Sequence, residues 1–219
     1  MNQYIRISYM KKICQEMHKE LTELESKVQE LNELIKSKSD LERALELKKE
    51  LNEMGDLKQK MFDKIRDDQE LYEKGIVVPL NIDLRNYYEG SITESTRFLF
   101  GSLRADGVSK ERLKSLPPYH NLEFVFGEIH CVMSLIESLP PNLQYVDDDV
   151  ILFRSNIKKL PDSLKVINGK LNIRGSLIKK WPKNLKKIGG NLIIDESQKE
   201  ILPSNIEDIV KGEVRIIVD

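Results

Sequence analysis

The sequence predicts an α+β chain in two parts: an N-terminal antiparallel helical hairpin, or coiled coil, followed by a small repeat solenoid with a short parallel sheet. Three observations predict it. Apolar residues recur as a heptad seam from Met10, Leu-Pro pairs recur every 21 residues from Leu139, and an apolar pair spaced by two recurs with them. The boundaries that follow are 1–75 for the hairpin, 76–115 for a connector and solenoid cap, and 116–219 for about five repeat units.

The first helix rests on Met10, Cys14, Met17, Leu21, Leu24, Val28, Leu31 and Ile35, which alternate steps of four and three as an a/d seam does. The residues between them are good helix formers, and neither Gly nor Pro occurs before Gly55. Ser37-Lys-Ser39-Asp40 breaks the seam, and Ser39 with Glu42 has the capping-box spacing of a new helix start. A weaker seam then runs from Leu47 to Tyr72, interrupted by Lys58 and Asp68, and Gly75 ends it. Two helices of similar length joined by a short connector fold back antiparallel. Packing against each other satisfies both seams within the chain, while projection from the solenoid makes the hairpin a docking arm or a homodimer contact.

The 219 residues carry 35 basic and 36 acidic side chains, so no global field selects nucleic acid or a membrane as partner. Cys14 and Cys131 are the only cysteines and His18, His120 and His130 the only histidines, a set with no metal-ligand spacing. The region Met1–Lys12 has neither a long apolar run nor a small-residue cleavage site, and no stretch of about 18 apolar residues occurs anywhere. These features predict a cytoplasmic protein with reduced thiols, no metal, no cofactor and no membrane span.

The repeat is read from Leu116-Pro117, Leu139-Pro140, Leu160-Pro161, Trp181-Pro182 and Leu202-Pro203, spaced 23, 21, 21 and 21. Leu143, Leu164, Leu185 and Ile206 follow each proline at one distance, then Val146, Ile167, Ile188 and Ile209. Val150 with Leu152, Leu171 with Ile173, and Leu192 with Ile194 carry the period-2 mark of short strands. Ser155, Ser176 and Ser197 stand three residues further on. Two inserted residues near Tyr119 and His120 bring Ile129, Cys131 and Ser134 into the same roles, and one inserted residue does so for Val214 and Ile216. The serines predict a hydrogen-bonded ladder between coils. Residues 76–115 show an alternating run at Leu80, Ile82 and Leu84 and aromatics at Tyr87, Tyr88, Phe98 and Phe100, which are expected to form an irregular cap.

The string L-P-x-x-L-x-x-I-x-G-x-L-x-I-x-x-S-x-I resembles the leucine-rich repeat, with Ser in the place of the usual Asn. Leu139-Pro140-Pro141-Asn142-Leu143, Trp181-Pro182-Lys183-Asn184-Leu185 and Gly189-Gly190 resemble the short, Leu-Pro-containing units of bacterial effector and bacteriophage proteins. The likeness covers roughly Leu116 to Ile216. It implies a parallel sheet on a concave face that grips, scaffolds or inhibits a partner protein, and by analogy a phage-encoded inhibitor of a host defence complex, acting in the host cytoplasm. Some bacterial relatives add a ubiquitin ligase with a catalytic cysteine, and no residue here supports one.

Alternation then assigns the outward residues. If Leu171 and Ile173 face the core, Lys170, Asn172 and Arg174 face out, as do Glu128, His130 and Val132 one stretch earlier. Asp149, Ile151 and Phe153, and then Asn191, Ile193 and Asp195, follow the same logic. Ile151, Phe153 and Ile193 are apolar without a core reason, the signature of a protein-binding patch. A second candidate surface is basic: Lys158 to Lys187 holds ten Lys or Arg against one acid, Asp162. Lys158, Lys159, Lys179, Lys180, Lys183, Lys186 and Lys187 are expected to form a ridge that meets phosphates or an acidic partner. His130 beside Glu128 is the nearest approach to an acid-base pair, and no nucleophile elbow or phosphate loop accompanies it. The expected function is therefore non-enzymatic protein binding, with nucleic-acid or nucleoprotein binding through the ridge as the alternative.

Overall fold

A computed structural model describes residues 77–78, 81–85, 92–109 and 121–218, together with the single positions Glu30, Asp63, Glu73 and Glu111. The chain divides into two compact units, Met1–Asp68 and Gln69–Asp219. The helical hairpin expected over 1–75 lies outside the described residues, apart from Glu30, Asp63 and Glu73, which are helical. The Leu116-Pro117 pair, Tyr87, Tyr88, Tyr119 and His120 also lie outside them.

The second unit is a parallel β-solenoid of about six turns. Each turn gives one short strand to each of two sheets. The first sheet has six strands: β1 (Val77–Val78), β3 (Phe98–Leu99), β5 (Phe124–Val125), β7 (Tyr145–Val146), β9 (Val166–Ile167) and β11 (Lys187–Ile188). The second has seven: β2 (Ile82–Asp83), β4 (Leu103–Arg104), β6 (Ile129–His130), β8 (Val150–Ile151), β10 (Leu171–Asn172), β12 (Leu192–Asp195) and β13 (Val214–Ile217). A 3-10 helix (Glu196–Ile201) and α1 (Ile206–Ile209) fill the last turn, where an isolated bridge from Ile188 to Val210 continues the first sheet.

Register follows the repeat. Val150 pairs with Leu171 and Leu171 with Leu192, 21 residues apart each time, and Leu192 pairs with Val214 after the one inserted residue that the sequence requires. Between the sheets, the chain approaches its neighbours too closely for side chains. A Cβ on Gly169 would stand 2.5 Å from the backbone carbon of Asp148, and one on Gly190 would stand 2.8 Å from the nitrogen of Lys170. These glycines are required by the close approach of successive coils. After four strands of the seven-stranded sheet, β4, β6, β8 and β10, the backbone turns through the left-handed region, at Gly107, Met133, Arg154 and Gly175.

The core is the column of inward residues shared by all turns. Val150, Leu152, Leu171, Ile173, Leu192 and Ile194 are fully buried, as are Val146, Ile167 and Ile188 from the other sheet. Burial of each such side chain contributes roughly 1.5–3 kcal/mol, and one turn alone has nothing to bury them against. The prolines start tight turns: Leu143 and Leu164 donate their N–H groups to the carbonyls of Pro140 and Pro161 at 3.1 Å.

Three expectations change. First, β1 to β4 form solenoid turns inside 76–115, in place of the expected irregular cap. The reason is a longer step: Phe98 pairs with Phe124, 26 residues on, so a period of 21 loses register there. Second, each turn supplies two strands rather than one. Third, the serine hydroxyls build no continuous ladder. Ser155 Oγ is buried without a partner, Ser134 Oγ accepts only from the nearby Ile136 N–H at 3.3 Å, and Ser197 is exposed, while Ser176 Oγ alone reaches the next coil, accepting from Gln198 Nε2 at 3.2 Å. In the last turn Gln198 takes the inward place, its Nε2 donating to the Ile173 carbonyl at 3.0 Å. Among the described residues no helix is long and apolar enough to cross a membrane.

Candidate functional site

The outer face of the seven-stranded sheet is built by alternation. Core residues fix one side of each strand, and the residues between them must face the other way. That places His130 and Val132, Asp149 with Ile151 and Phe153, Lys170 with Asn172 and Arg174, and Asn191 with Ile193 and Asp195 on a single surface, all half-buried. The structure therefore brings together the whole set that the sequence assigns to one face.

Most of its polar residues are committed to each other. Asp149 Oδ1 accepts from the Lys170 backbone N–H at 2.7 Å while Oδ2 pairs with Lys170 Nζ at 2.8 Å. That bond holds the Lys170 ammonium above its ordinary value. Asn191 Oδ1 accepts from the Glu213 N–H at 2.8 Å, and Asn172 Oδ1 from the Arg174 N–H at 3.1 Å. Arg174 pairs with Asp195 at 3.3 Å, and Asp195 Oδ2 also accepts from the Gly175 N–H. Apart from the Asn172 bond, which stays within its own coil, these contacts clamp one coil to the next, a role that sequence spacing alone does not separate from binding.

His130 is corrected in its partner. Its Nδ1 lies 2.7 and 2.8 Å from the two carboxylate oxygens of Asp106, which also accepts the Val132 N–H at 2.7 Å. Glu128 is taken by Arg104 instead. Asp106 escapes sequence reasoning because it stands one turn earlier, across the irregular 26-residue step. Cys131, next to His130 in sequence, points inward and is fully buried, and burial pushes its thiol up to about 12. It stays protonated at neutral pH and is no nucleophile for the His130–Asp106 pair.

Against this paired background stand the apolar residues Val132, Ile151, Phe153 and Ile193, all half-buried and without a core to fill. Two guanidinium groups lie over the Phe153 ring, Arg154 at 5.1 Å and Arg174 at 5.6 Å from its centroid. Cation–π contacts of this kind contribute roughly 0.5–1 kcal/mol when exposed and fix the ring in place.

The basic ridge is only partly assembled. Lys158, Lys159, Lys179, Lys180, Lys183 and Lys186 are exposed, and Lys158 is paired with Glu137 at 2.6 Å. Asp162 sits among the others. The Lys183 backbone N–H and then the charges of Lys183, Lys180 and Lys159 hold its carboxyl below the usual range. Lys187 does not belong to the ridge: it is an outward position of β11 on the six-stranded sheet and is buried, 7% exposed. The charge count along the sequence could not show this, because Lys187 shares its run but not its side of the coil. Among the described residues no group of three His, Cys, Asp or Glu side chains is arranged to hold a metal.

Fold and face together define a β-solenoid that presents a broad, largely self-paired sheet surface with an apolar centre. Compared with known proteins, the chain matches no family model, no curated protein and no solved structure.

Proposed function

We propose that this chain is a non-enzymatic protein-binding module whose recognition surface is the outer face of the seven-stranded sheet, centred on Phe153. The observation that supports it most is the patch of Val132, Ile151, Phe153 and Ile193, half-exposed among charges whose partners lie on the same face. A partner that covers this face gains apolar burial and an aromatic anchor already fixed in its rotamer, at small ordering cost. The 21-residue spacing and the Leu-Pro turns support reading the solenoid as a leucine-rich repeat of the short bacterial or bacteriophage type, which grips, scaffolds or inhibits its target. The hairpin expected over 1–75 enters this reading as a docking or dimerisation arm.

The test is capture of host proteins by the full chain and by Phe153→Ala and Ile193→Ala variants, read by mass spectrometry. Specific partners present with the wild type and absent with both variants, at unchanged melting temperature, support the reading. An equal loss of stability and capture shows instead that these residues serve the fold. A second reading, nucleic-acid binding, is favoured by one observation: Lys159, Lys180 and Lys183 converge on Asp162 and are exposed. A salt-sensitive mobility shift lost in the triple Lys→Glu variant supports it, and no shift at low salt removes it.

A further inference from the structure

Among the described residues, the β13 end of the seven-stranded sheet is an open edge: β13 lies at the end of the strand order and pairs on one side only, with β12. Leu192 donates its N–H to the Glu213 carbonyl at 2.9 Å, so in this parallel ladder residues 213, 215 and 217 bond towards β12. The N–H and C=O groups of Val214, Ile216 and Val218 point the other way.

The side chains of the same three residues are also incompletely covered. Leu192 and Ile194, between two neighbours, are fully buried, whereas their equivalents Val214 and Ile216 are only half-buried. Val218, next in the alternation, is 76% exposed, the highest of the exposed large apolar residues among those described. Proteins usually blunt such an edge with a proline, a bulge or an inward-pointing charge. β13 has none: its one charged residue, Arg215, is exposed and tied to Glu213 at 2.8 Å.

We propose that β13 pairs antiparallel with the β13 of a second copy of this chain, about a two-fold axis at Ile216. The choice of a second copy rests on self-complementarity. With Ile216 opposite Ile216, Val214 falls opposite Val218 in both directions, so each core-facing pair is apolar and each outward-pointing backbone group gains a partner. Arg215 falls opposite Ile217, so no like charges of the strand oppose each other. The axis is isologous, which closes the assembly at two and prevents continued edge-to-edge growth. The pairing also covers the last described turn of the solenoid, which has a neighbour on one side only.

Sedimentation of the full chain over a range of concentrations tests this. The expected result is a dimer whose dissociation constant rises at least tenfold in Val218→Asp and in Val218→Pro, both at an exposed position. Met133→Asp, at another exposed apolar residue, leaves it unchanged. Ile216→Cys, oxidised, gives a cross-linked dimer, because opposed residues of a hydrogen-bonded antiparallel pair lie about 5.5 Å apart at Cα, within disulfide reach. The wild type, with Cys14 and Cys131, and an Ile217→Cys variant are the controls and cross-link far less. A monomeric wild type, or a dimer indifferent to both Val218 substitutions, overturns the proposal. The second result assigns dimerisation to another part of the chain.

Discussion

The two sheets of the solenoid share a core, a period and a direction, yet their outer faces differ. On the six-stranded sheet the outward residues Phe98, Phe124, Tyr145, Val166 and Lys187 are buried, none more than 8% exposed. Phe98 stacks on Phe124 with centroids 5.1 Å apart, and Phe100 stacks on Phe126 at 4.3 Å. Tyr145 lies tilted against Phe124 and ends the row in polar contacts, its hydroxyl donating to Asp147 and accepting from Asn168 Nδ2 at 2.8 Å. On the seven-stranded sheet the equivalent residues His130, Ile151, Asn172 and Ile193 are half-exposed. Pointing away from the core is thus a statement about geometry, and availability to a partner is a separate one.

The largest effect expected from this contrast is on stability at the buried face. Phe124→Ala removes a ring that touches Phe98, Phe126 and Tyr145 and should cost about 3–5 kcal/mol in denaturant unfolding. A cost near that of an exposed site breaks the distinction between the faces. Next is the corner where the two sheets meet. Gly169→Ala drives a methyl group into the Asp148 backbone and should lower stability by about 1–3 kcal/mol, with a loss of melting temperature that Asp148→Ala does not share.

Smaller effects belong to the half-exposed sheet. Met133 holds φ of 48° beside it, a conformation that costs a non-glycine residue roughly 1–2 kcal/mol. Met133→Gly recovers that cost, less glycine's roughly 0.5–1 kcal/mol of extra chain entropy, and should raise stability slightly in the same unfolding assay. Phe153→Ala, the mirror of Phe124→Ala, should cost about 1 kcal/mol or less while removing partner capture. A cost of about 3 kcal/mol or more, in the range of a buried aromatic, shows that the two faces are alike and that Phe153 is a packing residue.

Much of this is legible along the chain, and the residues show why. The alternation of apolar and outward residues is local, so Val150, Leu152, Leu171 and Ile173 announce both their strands and their burial, and the outward set follows from them. The doublets of β-branched and aromatic residues at Tyr145–Val146 and Val166–Ile167 mark the six-stranded sheet, but a two-residue strand leaves too short a run for periodicity to register. His130 stands out in the sequence and its partner does not, because Asp106 meets it only after the coil closes.

What the sequence by itself determined is the repeat: a 21-residue period, its core positions and the parity of its strands, since each depends on residue spacing and on the need of every turn to bury one side. What only the tertiary structure decided is what lies beside each residue one coil away. Among the described residues, the solenoid strands at 77–104, the burial of Lys187, the aromatic stack, the bare Ser155 hydroxyl and the single-sided pairing of β13 are all relations between turns. They depend on the length of each connecting step and on which side of the coil a residue occupies, quantities that a linear pattern does not contain.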